Sequence, residues 1–257
     1  FFVAPYAQLG QYTRGVYARD RRVAEYRIRE WRGGLDLGAT LGTSAEVRVG
    51  PLLRRIEART HTGSPILPSL DATTSGLRLR VFADRHDAPW FPRSGYRGVL
   101  SAFATSDALG ADDRYRRLEG LWTAATSVRE HTFAATLYGG SRLGSSLPAY
   151  ELFSLGGPFR LSGYRIGQFA GQSLAFASLR YYDRIHQLPS LLGSGIYVGG
   201  SLEVGRVQRL IDGRESSGTR HSASVYLGAE TFLGPAFLGV GLAEGGRQTL
   251  FLVLGVP

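Results

Sequence analysis

The chain has 257 residues with no Cys and no Met, and its 30 basic residues, all arginine, stand against 21 acidic ones for a net charge of +9. Without Cys there is no disulfide framework and no thiolate metal site, and no run of about 18 apolar residues exists to form a transmembrane helix. The arginines are spread through nearly every segment and alternate with apolar residues. They do not form a patch interleaved with aromatics, so no nucleic-acid partner is expected.

In chain order, the pattern is one of strands. Period-two alternation recurs, and no amphipathic helix longer than two turns is visible. Strands are predicted near 1–12, 22–32, 33–43, 44–59, 73–84, 95–107, 113–128, 130–141, 172–184, 194–208, 219–233, 235–243 and 247–256. Ala24, Tyr26 and Ile28 alternate with Glu25, Arg27 and Arg29. Further on, Leu77, Leu79, Val81 and Ala83 alternate with Arg78, Arg80, Phe82 and Asp84, and Ile196, Val198, Leu202 and Val204 with Tyr197, Ser201 and Glu203.

A soluble sandwich gives the same alternation with inside and outside exchanged. The polar face here mixes Arg, Glu, Tyr and Gly, which suits a crowded lumen, and the 35 Gly and 13 Tyr fit a transmembrane barrel. The expectation is an all-β fold: a transmembrane antiparallel β-barrel forming a single domain over 1–257, with about 13 strands present. Bacterial barrels carry even strand counts. The odd count and the absence of Met therefore predict that N-terminal strands are missing and that the whole barrel has 16. With the last strand ending in the periplasm, the connections at 108–112, 142–171 and 209–218 face outward and those at 85–94 and 185–193 face the periplasm.

The connection 142–171 is too long for a hairpin turn and too apolar for a disordered loop, and long ordered loops are usually functional. It contains Gly156, Gly157, Phe159, Arg160, Leu161, Ser162, Gly163, Tyr164 and Arg165. The glycines allow positive φ and close approach. Phe159 and Leu161 offer apolar anchors, and Tyr164 a broad ring with a hydroxyl for a lumen partner. Glu203 shares a strand face with Tyr197 and Ser201, hence inward. Asp84, Asp87, Pro89, Pro92 and Gly95 form a strand-to-turn segment that reads as a capped, rigid turn in preference to a catalytic Asp/His cluster. The five His residues lack metal spacing. There is no G-x-S-x-G elbow, and Asp212-Gly213 reads as a turn. No metal, cofactor or catalytic residue is expected, and the chain is not expected to be an enzyme.

The run GGPFRLSGYRIG (156–167) resembles the lumen-inserted loop of the BamA/TamA outer-membrane insertase superfamily, the bacterial surface antigen family. The segment DRHDAPWFPRSG (84–95) is similar to that family's strand-to-turn motif, and EGGRQTLFLVLG (244–255) looks like its closing strand. The resemblance implies a bacterial outer-membrane location and contact with outer-membrane lipids and lipopolysaccharide. It also implies a loop arginine that crosses the lumen to an acidic residue in an Asp/Glu-x-Gly motif. That motif is matched here by Glu203 and Gly205, whereas the arginine is replaced by Ser162. Arg160 or Arg165 supplying the charge, or Ser162 accepting a hydrogen bond, are the open alternatives.

The Leu-Ser-Gly-Tyr variant looks most like the translocator barrels of patatin-like phospholipase (type Vd) autotransporters. That branch implies export or display of an N-terminal passenger, together with a periplasmic domain, as partners. The alternative is a general insertase or translocation-assembly barrel handling other proteins. Homodimerisation is left open.

Overall fold

The computed structural model describes residues 1–18, 21–63, 69–189 and 193–255. Fourteen strands form one antiparallel sheet: β1 (Phe2–Ala18), β2 (Arg21–Leu41), β3 (Ala45–Gly63), β4 (Leu70–Thr73), β5 (Gly76–Asp84), β6 (Gly95–Thr105), β7 (Arg116–Val128), β8 (His131–Arg142), β9 (Phe153–Leu155), β10 (Phe169–His186), β11 (Gly193–Leu210), β12 (Arg220–Thr231), β13 (Gly234–Ala243) and β14 (Arg247–Leu254). Twelve of them follow one another along the sheet in chain order, while β4 pairs onto β3 and β9 onto β10. Among the described residues, β1 and β14 do not pair, so the sheet is not closed. Two single-turn 3-10 segments lie between strands among the described residues.

Away from the shifts at Arg184/His186 and Gly193/Gly195, the registers carry one face outward from strand to strand. Leu179, Leu202, Ala223 and Leu242 stand opposite one another across β10–β13, as do Val198, Leu227, Leu238 and Leu252 across β11–β14. These leucines and valines are exposed, whereas the alternate residues Tyr182, Tyr197, Ser201, Glu203, Tyr226 and Phe237 are buried. Apolar side chains outside and polar or aromatic ones inside is the pattern of a sheet with lipid on its convex face. Among the described residues, no helix is long and apolar enough to cross a membrane.

The segments 22–32 and 33–43 are a single strand, β2, and not two. Parity runs through the Arg32-Gly33-Gly34 junction without a turn, and β2 pairs with β1 from Phe2↔Gly38 to Ala18↔Arg21. What changes at the junction is the chemistry of the faces. Below it, Leu35, Leu37 and Leu41 point outward and Asp36 is buried inside. Above it, Arg27 and Arg29 point outward and Ala24, Tyr26 and Ile28 are buried inside. The alternation of 24–30 therefore belongs to a stretch lying beyond the lipid, where the apolar face turns inward. Two short strands, β4 and β9, were not foreseen, being too brief to show a period. The strand expected over 1–12 continues to Ala18. Parts of the expected connection 185–193 and of the strand 247–256 lie outside the described residues.

The two ends of the sheet differ. At one end β2–β3, β7–β8 and β12–β13 are joined by tight turns. At the other, the chain makes the long excursions between β6 and β7, β8 and β10, and β11 and β12. Short periplasmic turns and long extracellular loops identify the ends. Replacing Leu202, on the lipid face, by Arg is expected to cost about 2–4 kcal/mol of folding into a bilayer. Denaturant titration of folding into lipid vesicles measures that loss.

Candidate functional site

The connection from β8 to β10 turns back into the lumen and packs there on its own hydrogen bonds. Gly156 N–H donates to Arg160 O (2.8 Å), Gly157 N–H to Tyr164 O (3.1 Å) and Tyr164 N–H to Leu161 O (2.9 Å). Gly156 and Gly157 take positive φ, as expected, but so do Phe159 (58°) and Leu161 (74°). A left-handed conformation in a bulky residue costs on the order of 1–3 kcal/mol and persists only where its surroundings hold it. Gly163 serves differently. A Cβ there would stand 2.5 Å from the Leu242 carbonyl carbon and the Ala243 Cβ, so the glycine lets the loop lie directly against β13.

Ser162 is fully buried and Glu203 is 4% exposed. The Glu203 carboxylate accepts from Ser162 N–H (2.5 Å), from Ser162 Oγ (2.7 Å) and from Ser201 Oγ (2.6 Å). Ser162 therefore donates to Glu203 twice. Toward Glu203 the serine is the donor, because an ionised carboxylate is acceptor-only, while its Oγ accepts from Phe159 N–H (2.9 Å), as one of the expected alternatives had it. Among the described residues, no arginine lies within ion-pair distance of Glu203. Arg160 lies over the Tyr138 ring (4.6 Å), and Arg165 is exposed. Next to this bond, Gly163 N–H donates to Ser222 Oγ (2.7 Å), which donates on to Leu242 O (2.9 Å). Gly205 leaves room for Leu155, whose Cδ1 would be 2.8 Å from a Cβ there.

The rest of the motif is apolar packing. Phe159 meets Tyr226, Phe237 and Phe251 edge-on at 5.0–5.7 Å, so the loop tip touches the inner side of the last strand. Leu161 and Tyr164 join a cluster with Phe153, Leu155, Phe169 and Val207. Tyr164 packs its ring on Phe169 at 5.1 Å, while its buried hydroxyl makes no hydrogen bond of ordinary length among the described residues.

The periplasmic turn reaches the same place from below. Asp87 accepts from Arg93 N–H (2.9 Å) and Ser94 N–H (3.1 Å), and Asp84 from His86 N–H (3.0 Å) and Arg97 Nε (2.7 Å). Gly95 takes φ +96°, and a Cβ there would stand 2.0 Å from Arg85 O. Burial, and then Arg97, hold the His86 imidazole below its usual range. The turn Pro89–Pro92 projects Phe91 inward, where it stacks on Tyr197 (4.0 Å) and meets Phe237 (5.2 Å). Tyr182 OH donates to Pro92 O.

Sequence reasoning missed the second anchor of the loop. Glu151, 2% exposed, receives Arg54 of β3 on one oxygen and Arg117 of β7 on the other (2.9 Å). Arg54 also bonds Glu30 (2.8 Å), and Arg14 of β1 donates to the carbonyls of Tyr150 (3.5 Å) and Leu152 (3.0 Å). The available signal was that Glu151 is the sole acid between β8 and β10.

Removing one member of a buried ion cluster leaves the other charges uncompensated. Glu151→Ala is expected to cost about 3 kcal/mol, the low end for buried pairs because Arg117 keeps some water. Gly163→Ala is expected to lift the loop off β13 at about 1–3 kcal/mol of overpacking. Limited proteolysis within 143–168 reads both, as faster cleavage in a barrel of unchanged heat-modifiable mobility.

The sequence matches the Omp85 superfamily domain over residues 2–216. No curated protein sequence matches it significantly. Among solved structures, the fold is similar to BamA from Haemophilus ducreyi lacking POTRA domains 1–3, at a TM-score of 0.75 and 15% identity over 97% of this chain and 58% of that one. It is also similar to CdiB from Escherichia coli, at 0.67 and 13% identity over 97% of this chain and 48% of that one. The chain thus spans about half the length of the structures it matches. With an alternating sheet, a braced lumen loop and a domain match over most of its length, the chain belongs to the Omp85 superfamily and is a β-barrel of the bacterial outer membrane.

Proposed function

We propose that the chain is a translocator and anchor that exports or displays a polypeptide preceding it, the passenger being a patatin-like phospholipase. The observation that carries this reading is the seating of Leu161-Ser162-Gly163-Tyr164. Ser162 is bonded to Glu203 and Phe159 rests on Phe251 of the last strand. A loop fixed this way braces the wall next to the free edge of β14 and fills the lumen, which argues against a passive pore. The Ser162 variant of the motif is the one resembling the patatin-like autotransporters. In this reading the barrel does no bond chemistry, and the hydrolase lies in the passenger.

Gly163→Arg and Tyr164→Ala are expected to lower surface display of the passenger several-fold, with His61→Ala and His131→Ala at wild-type level. Antibody labelling of intact cells, normalised to barrel in the outer membrane, makes the comparison, and equal labelling of all four would sink the assignment. The parent reading frame separates this from the insertase reading. A G-x-S-x-G patatin domain followed by one periplasmic module supports the translocator. Several modules and no lipase would support an insertase.

A further inference from the structure

The face exchange in β2 has a counterpart in β3. Outward positions Val47, Val49 and Leu53 are apolar, and the next outward positions are Arg55, Glu57, Arg59 and His61. Trp31 and Arg55 face each other at the boundary. One step above stand Arg29 and Glu57, and two steps above, Arg27 and Arg59. Outward residues are two apart, so each step is about 7 Å along the strand. These rows lie at the end of the sheet that carries the long loops, immediately outside the apolar band, with an interfacial Trp at its border. That is the depth of the headgroups of the outer leaflet.

The charges here are poorly matched by the protein. Arg27 and Arg59 are direct cross-strand partners, and like charges so placed destabilise a sheet. Arg55 is paired with Asp71 (2.8 Å), and the nearby Glu25 with Arg22 (3.3 Å). Arg29 has Gln11 as its neutral partner (3.2 Å), and Arg27 the His61 ring (3.3 Å). Among the described residues, no carboxylate lies within ion-pair distance of Arg27, Arg29 or Arg59. Side by side on the outer surface, Arg27, Arg29, Glu57, Arg59, Thr60 and His61 line a groove of about 250 Å³. A second groove, with Leu9, Trp31, Arg55 and Glu30 in its lining, shares Arg29 and Glu57 with the first. Arginine forks suit phosphate oxygens.

We propose that Arg27, Arg29 and Arg59 form a binding site for the phosphorylated disaccharide head of an outer-leaflet glycolipid, lipopolysaccharide, with its acyl chains lying down the apolar outer face of β1–β3. The lipid phosphates supply the counter-charge that the Arg27–Arg59 pairing lacks. The site depends on the outer-membrane placement and not on the passenger, so it stands or falls apart from the translocator reading.

The test titrates full-length protein in detergent with bisphosphorylated lipid A, counting bound lipid by native mass spectrometry. Dephosphorylated lipid A, inorganic phosphate and two triple variants complete it. At about a fivefold loss per arginine beside an anionic headgroup, Arg27→Gln/Arg29→Gln/Arg59→Gln is expected to weaken binding about a hundredfold. Arg114→Gln/Arg129→Gln/Arg214→Gln, with the same change of charge elsewhere, is expected to leave it unchanged. Wild-type protein is expected to prefer the phosphorylated lipid by a similar factor, and millimolar inorganic phosphate not to displace it. Equal binding of the two lipids by the wild type overturns the proposal without recourse to any variant. Full displacement by inorganic phosphate, an unaffected first triple, or equal loss in both triples overturns it as well.

Discussion

A carboxylate buried in the lumen of a barrel has to be satisfied by whatever the wall brings near it. Glu203 on β11 faces a wall of serines: Ser201 bonds it and Ser224 bonds Ser201 (2.7 Å). That leaves lone pairs open toward the lumen, and the loop fills them with two donors from one residue. Hydrogen bonds to a charged group contribute about 1.5–3 kcal/mol, and an unsatisfied buried carboxylate would cost more. The left-handed Phe159 and Leu161 make sense in this light. The bends position Ser162 to present both its amide and its hydroxyl, and the Ser162–Glu203 and Phe159 contacts together outweigh their strain.

The second anchor has the opposite polarity. At Glu203 the acid is on the wall and the donor is on the loop; at Glu151 the acid is on the loop and the cations are on the wall. Each end of the loop is held by a different set of strands, β3 and β7 for Glu151 and β11–β13 for Ser162 and Gly163. The loop is thus a strut across the lumen. Because a carboxylate satisfied by two arginines and a carboxylate satisfied by an amide and two hydroxyls respond to different chemistry, the two ends are independent supports and not one network.

How much of this could be read from residues alone depended on separation along the chain. The lipid-facing rows were legible because their period is local: Leu77 to Ala83 and Ile196 to Val204 declare a face within a few residues. Glu203 was legible as inward by parity with Ser201. The two halves of β2 were not legible as one strand, since a period-two reading assumes that a face keeps its chemistry, and at Trp31 the solvent on each side changes while the backbone does not. Glu151 and Arg54 are 97 positions apart, and Tyr182 and Pro92 are 90 apart. No local pattern couples such residues; only the packing of the sheet's inner face around the loop does.

The aromatic cluster around Phe237 joins these threads. Phe159 arrives from the extracellular side and Phe91 from the periplasmic turn, and both rest on the same ring at 5.0 and 5.2 Å. Phe237 lies on β13, between β12 and the edge strand β14, and Phe251 of β14 packs on Phe159 from the inside. An edge strand in lipid has unpaired backbone groups on one side and needs side-chain contacts to hold its line. Here the direct contact comes from Phe159 on Phe251, and Phe91 acts one strand back, on Phe237 of β13, so the last strand is tied directly to the seating of the loop on Glu203 and, through β13, to the turn capped by Asp87.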